Sequence, residues 1–369
     1  MQIMDTPFYT QNLTLPQALS TDKLLAFVAL EVNIRAQIIE AFVKCRIYQD
    51  EDRIMIHFPI SGVETYWWLP SLVAFLISSL TSTGGVSGGV LILPFQVSAL
   101  GFTGPAVSPT NLLYNFVAIP SGVYRYCREK RMVWPLTWTI IAGTLPGLFL
   151  GAIIRIKYLP EARDFKLFAG LALLYVGTRL LVDVLKKMPA NSVNSPSKAG
   201  FINRIYQNGK IANVGQFRVI PLEFSLKRIG HEFNGIEYYA STFWLFILSL
   251  IVGVVGGVYG IGGGAIIAPF LVTMFRLPVH SVAGAALMGT FLSSFAGVII
   301  YAVISPFYSH TQLAITPDWF LGILFGIGGM VGMYLGARLQ RYMPARLIKT
   351  LLAVCMLSIA VKYIAEFFA

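Results

Sequence analysis

GVSGGVLILPFQV (85–97) and GIGGGAIIAPFLV (260–272) are one pattern written twice. Aligned without gaps, Gly88, Gly89, Pro94 and Phe95 fall on Gly263, Gly264, Pro269 and Phe270. The register continues through Val107 on Val282, Leu112 on Leu287 and Phe116 on Phe291, and PGLFLGA (146–152) matches VGMYLGA (331–337) further on. The chain therefore reads as a tandem duplication. In each copy a glycine cluster precedes an apolar run, near 88–100 and 263–276, that is too short to cross a bilayer. Each run reads as a half-helix or re-entrant piece.

Composition supports a membrane setting. The 369 residues are 56% hydrophobic and 12% charged, whereas a soluble domain carries about 25% charge. So few charges could not cover a water-facing surface, which excludes a cytosolic enzyme, a disordered chain and a secreted disulfide scaffold. At about 20 residues per span, the length allows roughly eight to ten crossings. The apolar segments lie near 67–83, 88–100, 106–126, 134–154 and 167–187, then near 240–259, 263–276, 282–304, 319–337 and 347–367.

Four regions are expected: an N-terminal peripheral segment (1–66), a first transmembrane repeat (67–187), a cytoplasmic linker and small insert (188–239) and a second repeat (240–369). Over 20–47, apolar Leu24 to Val32 meets Glu31, Arg35, Glu40 and Lys44 at helical spacing, which predicts an amphipathic helix. Residues 50–66 read as a short extended segment, and Trp67 and Trp68 mark a membrane interface. PANSVNSPSKAG (189–200) reads as linker. The 201–238 stretch, with turn pairs Asn208-Gly209 and Asn234-Gly235, reads as a small β-rich insert. The plainer reading is a loop with no part in the chemistry. MQIMDTPFYT (1–10) lacks the pattern of a cleaved signal.

The net charge of +11 is uneven: residues 1–66 net −3 and residues 67–369 net +14. A basic balance can mean nucleic acid, but here it follows the positive bias of inner membrane loops. RYCREKR (125–131), after the third segment of the first half, holds four Lys/Arg; the equivalent loop, Tyr301 to Asp318, holds none. One loop is then inside and the other outside, so the halves point oppositely. The fold expected is an all-α polytopic protein of two inverted repeats, about five membrane segments each, with glycine-broken half-helices. Lys186–Arg228 and Arg338–Lys349 then fall inside. Arg155, Lys157, Arg163 and Lys166 disagree, since they would lie outside, partly offset by Glu161 and Asp164. Inverted repeats with broken helices characterise secondary transporters, because two pseudo-equivalent halves can exchange conformations.

A helix is unwound within a membrane only where its backbone is buried or lines a cavity. The clusters at Gly84, Gly85, Gly88 and Gly89, and at Gly260, Gly262, Gly263 and Gly264, supply that twice. The N-terminus of the helix after each cluster offers N–H groups to an anion; the alternative is close helix packing by small residues. No Lys-Ser/Thr follows, so a nucleotide-binding P-loop is excluded. Asn111 and Asn115 share one face of the third segment; their repeat equivalents are Ala286 and Thr290, with Ser294 one turn on. Such groups cost free energy in lipid unless bonded, so they should face inward. Uncharged donors suit a small oxyanion that must be bound and released. Interhelical hydrogen bonding is the competing reading, and Ser108, Thr110 and Ser293 are weaker candidates. The substrate-binding set is therefore Gly85, Ser87, Gly88, Gly89, Asn111, Asn115, Gly262, Gly263, Gly264, Thr290 and Ser294. The deep parts of the segments carry no Asp, Glu, Lys or Arg. Arg179–Asp183 and Lys362–Glu366 read as interface anchors. His280 reads as a loop residue, while His57, His231, His310 and the isolated Cys45, Cys127 and Cys355 form no metal set.

These residues resemble the TauE/SafE family of membrane permeases, named for sulfite export. The resemblance rests on GIGGGAIIAPFL (260–271), SPTNLL (108–113) and VAGAALMGTFLSSFAG (282–297), and spans about 67–185 and 240–367. Where many relatives have Gly-Thr-Ser-Leu, this chain has Gly284-Ala285-Ala286-Leu287. Thr290 and Ser294 offer hydroxyls one and two turns on. The resemblance implies alternating-access transport of sulfite, an organosulfonate or another small sulfur-containing or organic anion across the plasma membrane. No catalytic residue, cofactor or metal is expected, and no nucleic acid partner. The partners expected are the small anion and membrane lipid, with a homo-oligomer possible. Two alternatives stay open: a cation or metal permease of the same architecture, and a membrane sensor that uses the 201–238 insert. A membrane-embedded enzyme would need a catalytic acid, nucleophile or metal set inside the bundle, and the sequence offers none.

Overall fold

The computed structural model describes residues 21–43, 45–50, 53–84, 87–128, 132–185, 219–225, 227–233, 236–275, 277, 279–311, 313–339 and 345–369. The expected linker (189–200) and the first part of the expected insert (201–218) lie outside them. Residues up to Glu40 form one unit and those from Ala41 onward another. The helix expected over 20–47 runs as α1 (Thr21–Val43), with Arg35 reaching back to Glu31.

The second unit is mainly helical. The stretch read as extended (50–66) holds β2 (Arg53–Phe58) and β3 (Val63–Tyr66) of an antiparallel meander whose first strand, β1 (Arg46–Asp50), begins in residues expected to end the helix; Met55 lies opposite Tyr66 and Ile56 opposite Thr65. It leads into α2 (Leu69–Gly84), α3 (Gly89–Ser98), α4 (Val107–Ala118), α5 (Pro120–Arg128), α6 (Trp134–Lys157) and α7 (Ala162–Leu185). A second meander, β4 (Val219–Phe224), β5 (Arg228–Phe233) and β6 (Ile236–Ser241), runs directly into α8 (Thr242–Tyr259). Then come α9 (Gly264–Thr273), α10 (Val279–Ile304), a 3-10 turn (Ser305–Thr311), α11 (Trp319–Leu339) and α12 (Ala345–Phe368). The spacing that carries Gly88 onto Gly263 also carries Arg53, Ile54 and Phe58 of β2 onto Arg228, Ile229 and Phe233 of β5.

Among the described residues, six helices are long and apolar enough to cross a membrane: α6, α8, most of α7 and α10 to α12. That is fewer than length alone allows. α2 and α3 are apolar but short, and the segment expected over 106–126 is broken. Proline at position 120 lacks an amide hydrogen and crowds the preceding turn, so α4 ends at Ala118 and α5 starts anew. Its counterpart α10, with no proline inside, is continuous.

The helices pack in matched pairs: α6 along α8, α2 along α11, α7 along α12 and α4 along α10. Glycine sets the first two contacts. Gly143, Gly147 and Gly151 form a stripe on α6 against the α8 backbone, and Gly328, Gly332 and Gly336 repeat it on α11 against Ser71, Phe75 and Ser79 of α2. A side chain on any of them would strike backbone, so the small residues let the helices approach closely. At the α4–α10 contact, Phe116 stacks on Phe291 with centroids 5.4 Å apart. Leu112, Ile140, Leu148, Leu245, Ile267 and Leu321 fill the interior. Trp138, Phe149, Leu171, Ile251, Leu351 and Val361 are exposed along the long helices, a surface that suits lipid.

Candidate functional site

The glycine turns α2–α3 and α8–α9 meet at α4, and one side chain joins them. Asn115 donates through Nδ2 to the Ile261 carbonyl in the second turn (3.2 Å). Its Oδ1 accepts from the Ser87 hydroxyl in the first (3.2 Å). One helical turn earlier, Asn111 donates through Nδ2 to the Gly89 carbonyl at the start of α3 (3.0 Å). Both asparagines are fully buried. Two tyrosines reinforce the crossing: Tyr259 donates to the Val90 carbonyl (2.9 Å), and the Tyr114 and Ser78 hydroxyls share a hydrogen bond (2.8 Å).

Hydroxyls from α10 close the other side. Gly262 has φ +73°, and a Cβ there would stand 2.9 Å from both the Ser293 and the Ser294 Oγ. Glycine reaches this backbone without strain. Ser293 accepts from the Gly263 N–H (3.2 Å) and donates to the Thr290 carbonyl (3.1 Å). Thr290 donates back along its own helix to Ala286 (2.9 Å). Two atoms at the crossing, Asn111 Oδ1 and Ser294 Oγ, are buried with no hydrogen-bond partner among the described residues. An unsatisfied buried polar atom costs about 1–3 kcal/mol.

The structure thus gathers Ser87, Gly89, Asn111, Asn115, Gly262, Thr290 and Ser294 about one crossing. Gly85 lies outside the described residues. The remaining glycines meet other neighbours. Gly88 backs onto the Tyr114 hydroxyl, Gly263 onto Thr144, and Gly264 onto the α10 backbone at Ala286 and Thr290. The Gly263 N–H, expected to be open to a ligand, is held by Ser293. The α9 end is therefore less free than its sequence suggests.

Three buried groups escaped the sequence reading. Arg155, expected in an external loop, lies near the end of α6 and is fully buried. It donates to the Ser108 hydroxyl (3.3 Å) and to the carbonyls of Thr103 (3.3 Å), Gly104 (3.1 Å) and Leu159, with its guanidinium 3.8 Å from the Phe165 ring centroid. No carboxylate among the described residues pairs with it. Ser108 passes the chain on to the Val258 carbonyl (2.8 Å), beside the second glycine turn. Two other cations of that loop have partners: Lys166 pairs with Glu366 (2.7 Å), and Arg163 donates to the Phe367 carbonyl. Glu366 also holds the expected Lys362 at 3.7 Å, whereas the side chain of Asp183 lies outside the described residues.

Gln96 on α3 is fully buried with neither amide atom partnered. An amide within a ten-residue apolar helix was the signal for it. Asp318, just before α11, is 1% exposed. It accepts from the Ser61 hydroxyl (2.8 Å) and N–H (3.1 Å), and it caps α11 through Leu321 N–H (3.2 Å). Burial raises its pKa above the ordinary carboxylate range, against the lowering effect of those bonds. Its own N–H donates to Thr110 of α4 (2.8 Å). Burial likewise lowers the pKa of His231, which stacks on Tyr238 in the second meander. Among the described residues, no group of three or more His, Cys, Asp or Glu is placed to hold a metal.

The family model for the sulfite exporter TauE/SafE matches residues 71–363. The chain is 24% identical to probable membrane transporter protein YunE of Bacillus subtilis, over 80% of this chain and 95% of that one. It is 23% identical to probable membrane transporter protein MamO of Magnetospirillum gryphiswaldense over 76% of this chain, a match that takes in 42% of MamO. No solved structure matches the chain.

Proposed function

The chain belongs to the TauE/SafE sulfite exporter family and is a multi-pass membrane transporter, and from that premise we propose that it is a secondary permease for a small anion, sulfite or another sulfur-containing oxyanion, in the plasma membrane. Transport is by alternating access. The observation that carries this reading is the crossing itself: two broken hairpins tied through Asn115, with an unpartnered hydroxyl on Ser294 and a second, uncommitted N–H on each asparagine amide. Those are neutral donors, able to hold an oxyanion and to release it.

In the mechanism proposed, the halves are inverted repeats of five segments each. α2–α3 and α8–α9 are re-entrant hairpins that enter from opposite faces. The matched contacts of α6 with α8 and of α2 with α11 support this, because each pair exchanges into the other when the halves are swapped. The Lys/Arg bias of the loops supports the orientation. Of the four cations that argued against it, Arg155 is drawn into the bundle and Lys166 is paired with Glu366. Rocking of one half against the other about Asn115 exposes the crossing to each face in turn. Asn111, Asn115 and Ser294 hold the anion. Thr290 shapes the site through its methyl, since its hydroxyl is committed to Ala286.

The test is counterflow in proteoliposomes with labelled sulfite, challenged by thiosulfate, sulfoacetate, taurine, acetate and chloride. Saturable exchange with a few sulfur anions is expected, together with its loss in Asn111→Ala/Thr290→Ala. Unchanged exchange in that folded double variant sinks the site. The open acceptor on Asn111 Oδ1 favours a second reading, a substrate that brings its own donor or is a cation. Exchange of taurine in preference to sulfoacetate, or of sodium in place of any anion, would move the function there.

A further inference from the structure

We propose that Gln96, in the field of Arg155, forms a second anion station on the path, between the glycine crossing and the end of the bundle where α3 turns into α4. This rests on the permease reading above and extends it. Gln96 lies two turns along α3 from Gly89, about 10 Å at 1.5 Å per residue, on the face that Gly89 turns toward the asparagines. It is fully buried and both its amide atoms lack partners. Shape alone does not require an amide there, because the equivalent position in α9 is Leu271, also fully buried.

The neighbouring charge points the same way. The Gln96 main-chain carbonyl accepts from Phe102 N–H (2.9 Å), and the Arg155 guanidinium binds the main-chain carbonyls of Thr103 and Gly104 just beyond. The two residues therefore grip one loop. Arg155 is bonded to carbonyls and a hydroxyl, which satisfy its hydrogens but leave its charge uncancelled. Inside a bundle of low dielectric that charge is felt over many ångströms. An intramembrane ionisable residue is a functional hypothesis by default once its partner is named; the partner here is the transported anion. An oxyanion leaving the crossing would find amide N–H donors and a fixed positive potential before it reaches water. The aligned positions of the second half hold Leu271 and Gln340 instead, so the two halves differ at this station.

The experiment uses the full chain in proteoliposomes, with labelled sulfite as probe and melting temperature measured alongside. In Gln96→Leu, exchange is expected to fall roughly tenfold to a hundredfold, the loss of one hydrogen bond to a charged group. The melting temperature should hold or rise, because an unsatisfied amide has been removed. Gln96→Glu keeps the size, replaces the donor by a negative charge, and is expected to lose more exchange than Gln96→Leu. Wild-type exchange with Gln96→Leu unimpaired overturns the station and leaves the permease standing. So does a Gln96→Glu variant as active as Gln96→Leu. No exchange by the wild-type protein overturns both readings.

Discussion

At the first glycine turn Gly89 and Ser87 meet amides, Asn111 and Asn115. At the second, Gly262 and Gly263 meet hydroxyls, Thr290, Ser293 and Ser294. The amides reach out: Asn115 crosses to the other turn's backbone. The hydroxyls largely fold back onto their own helix or the turn beside it. The second turn also needs left-handed backbone at Gly260 and Gly262, and Gly264 abuts α10 backbone where Gly89 abuts a side chain. One turn is thus held by main-chain contact and the other by side chains that can rotate. A transporter needs both a fixed point and a movable one.

The largest effect should come from Gly264→Ala. Its methyl would strike the backbone of Ala286 and Thr290, neither of which can move aside, and overpacking of this kind costs about 3 kcal/mol. Gly89→Ala would meet only the Asn115 amide, 2.9 Å away. It is expected to lose about 1 kcal/mol and most of its exchange activity. Denaturation in detergent and sulfite counterflow, measured on both variants, check the contrast; equal stabilities would break it.

Next comes the pair at one repeat position. Asn115→Ala removes two bonds and leaves the Ile261 carbonyl buried and unpaired, a loss of about 2–3 kcal/mol. Thr290→Ala removes a bond within its own helix and a methyl, about 1 kcal/mol. Similar losses in the two melting curves would mean that the turns are held alike.

The smallest effect concerns Asp318, an acid for which the start of α6 has no counterpart. Its pKa is raised in the fold, so the ionised form is the disfavoured one. The stability it contributes is present in full at pH below the ordinary aspartate range and is lost as pH rises through the raised value. Melting temperature should therefore decline on that account as pH rises from the ordinary aspartate range through the raised value, and Asp318→Asn should flatten the decline. An unchanged slope would show that Asp318 does not titrate in this range.

Most of the helical plan was legible because apolar runs and glycine clusters leave a strong one-dimensional trace. The short runs after Gly88 and Gly263 became α3 and α9, within a few residues. The break at Pro120 was equally visible in principle, since proline's cost is local. Long-range partners were not legible. Nothing in the order of residues says that Asn115 reaches Ile261 or that Arg155 folds inward to Ser108. A lysine or arginine near a helix end looks the same in sequence whether it faces water or is buried. The meanders were half-seen, as an extended segment and a β-rich insert. Their equivalence escaped notice because only Arg, Ile and Phe recur between β2 and β5.

Those meanders bear on how the protein could be handled from outside. β6 passes into α8 with no residue between them, and Thr242 is tied back to the β4–β5 turn through Ser225 (2.7 Å) and Lys227 (3.3 Å). The other sheet is pinned to the start of α11 by Ser61 on Asp318 and by Phe58 stacked on Phe320. A joint without slack behaves as a crank: turning the sheet turns the helix, and with it the glycine tip. A bulky binder clamped on either sheet should therefore stall the transporter without ever touching its cargo.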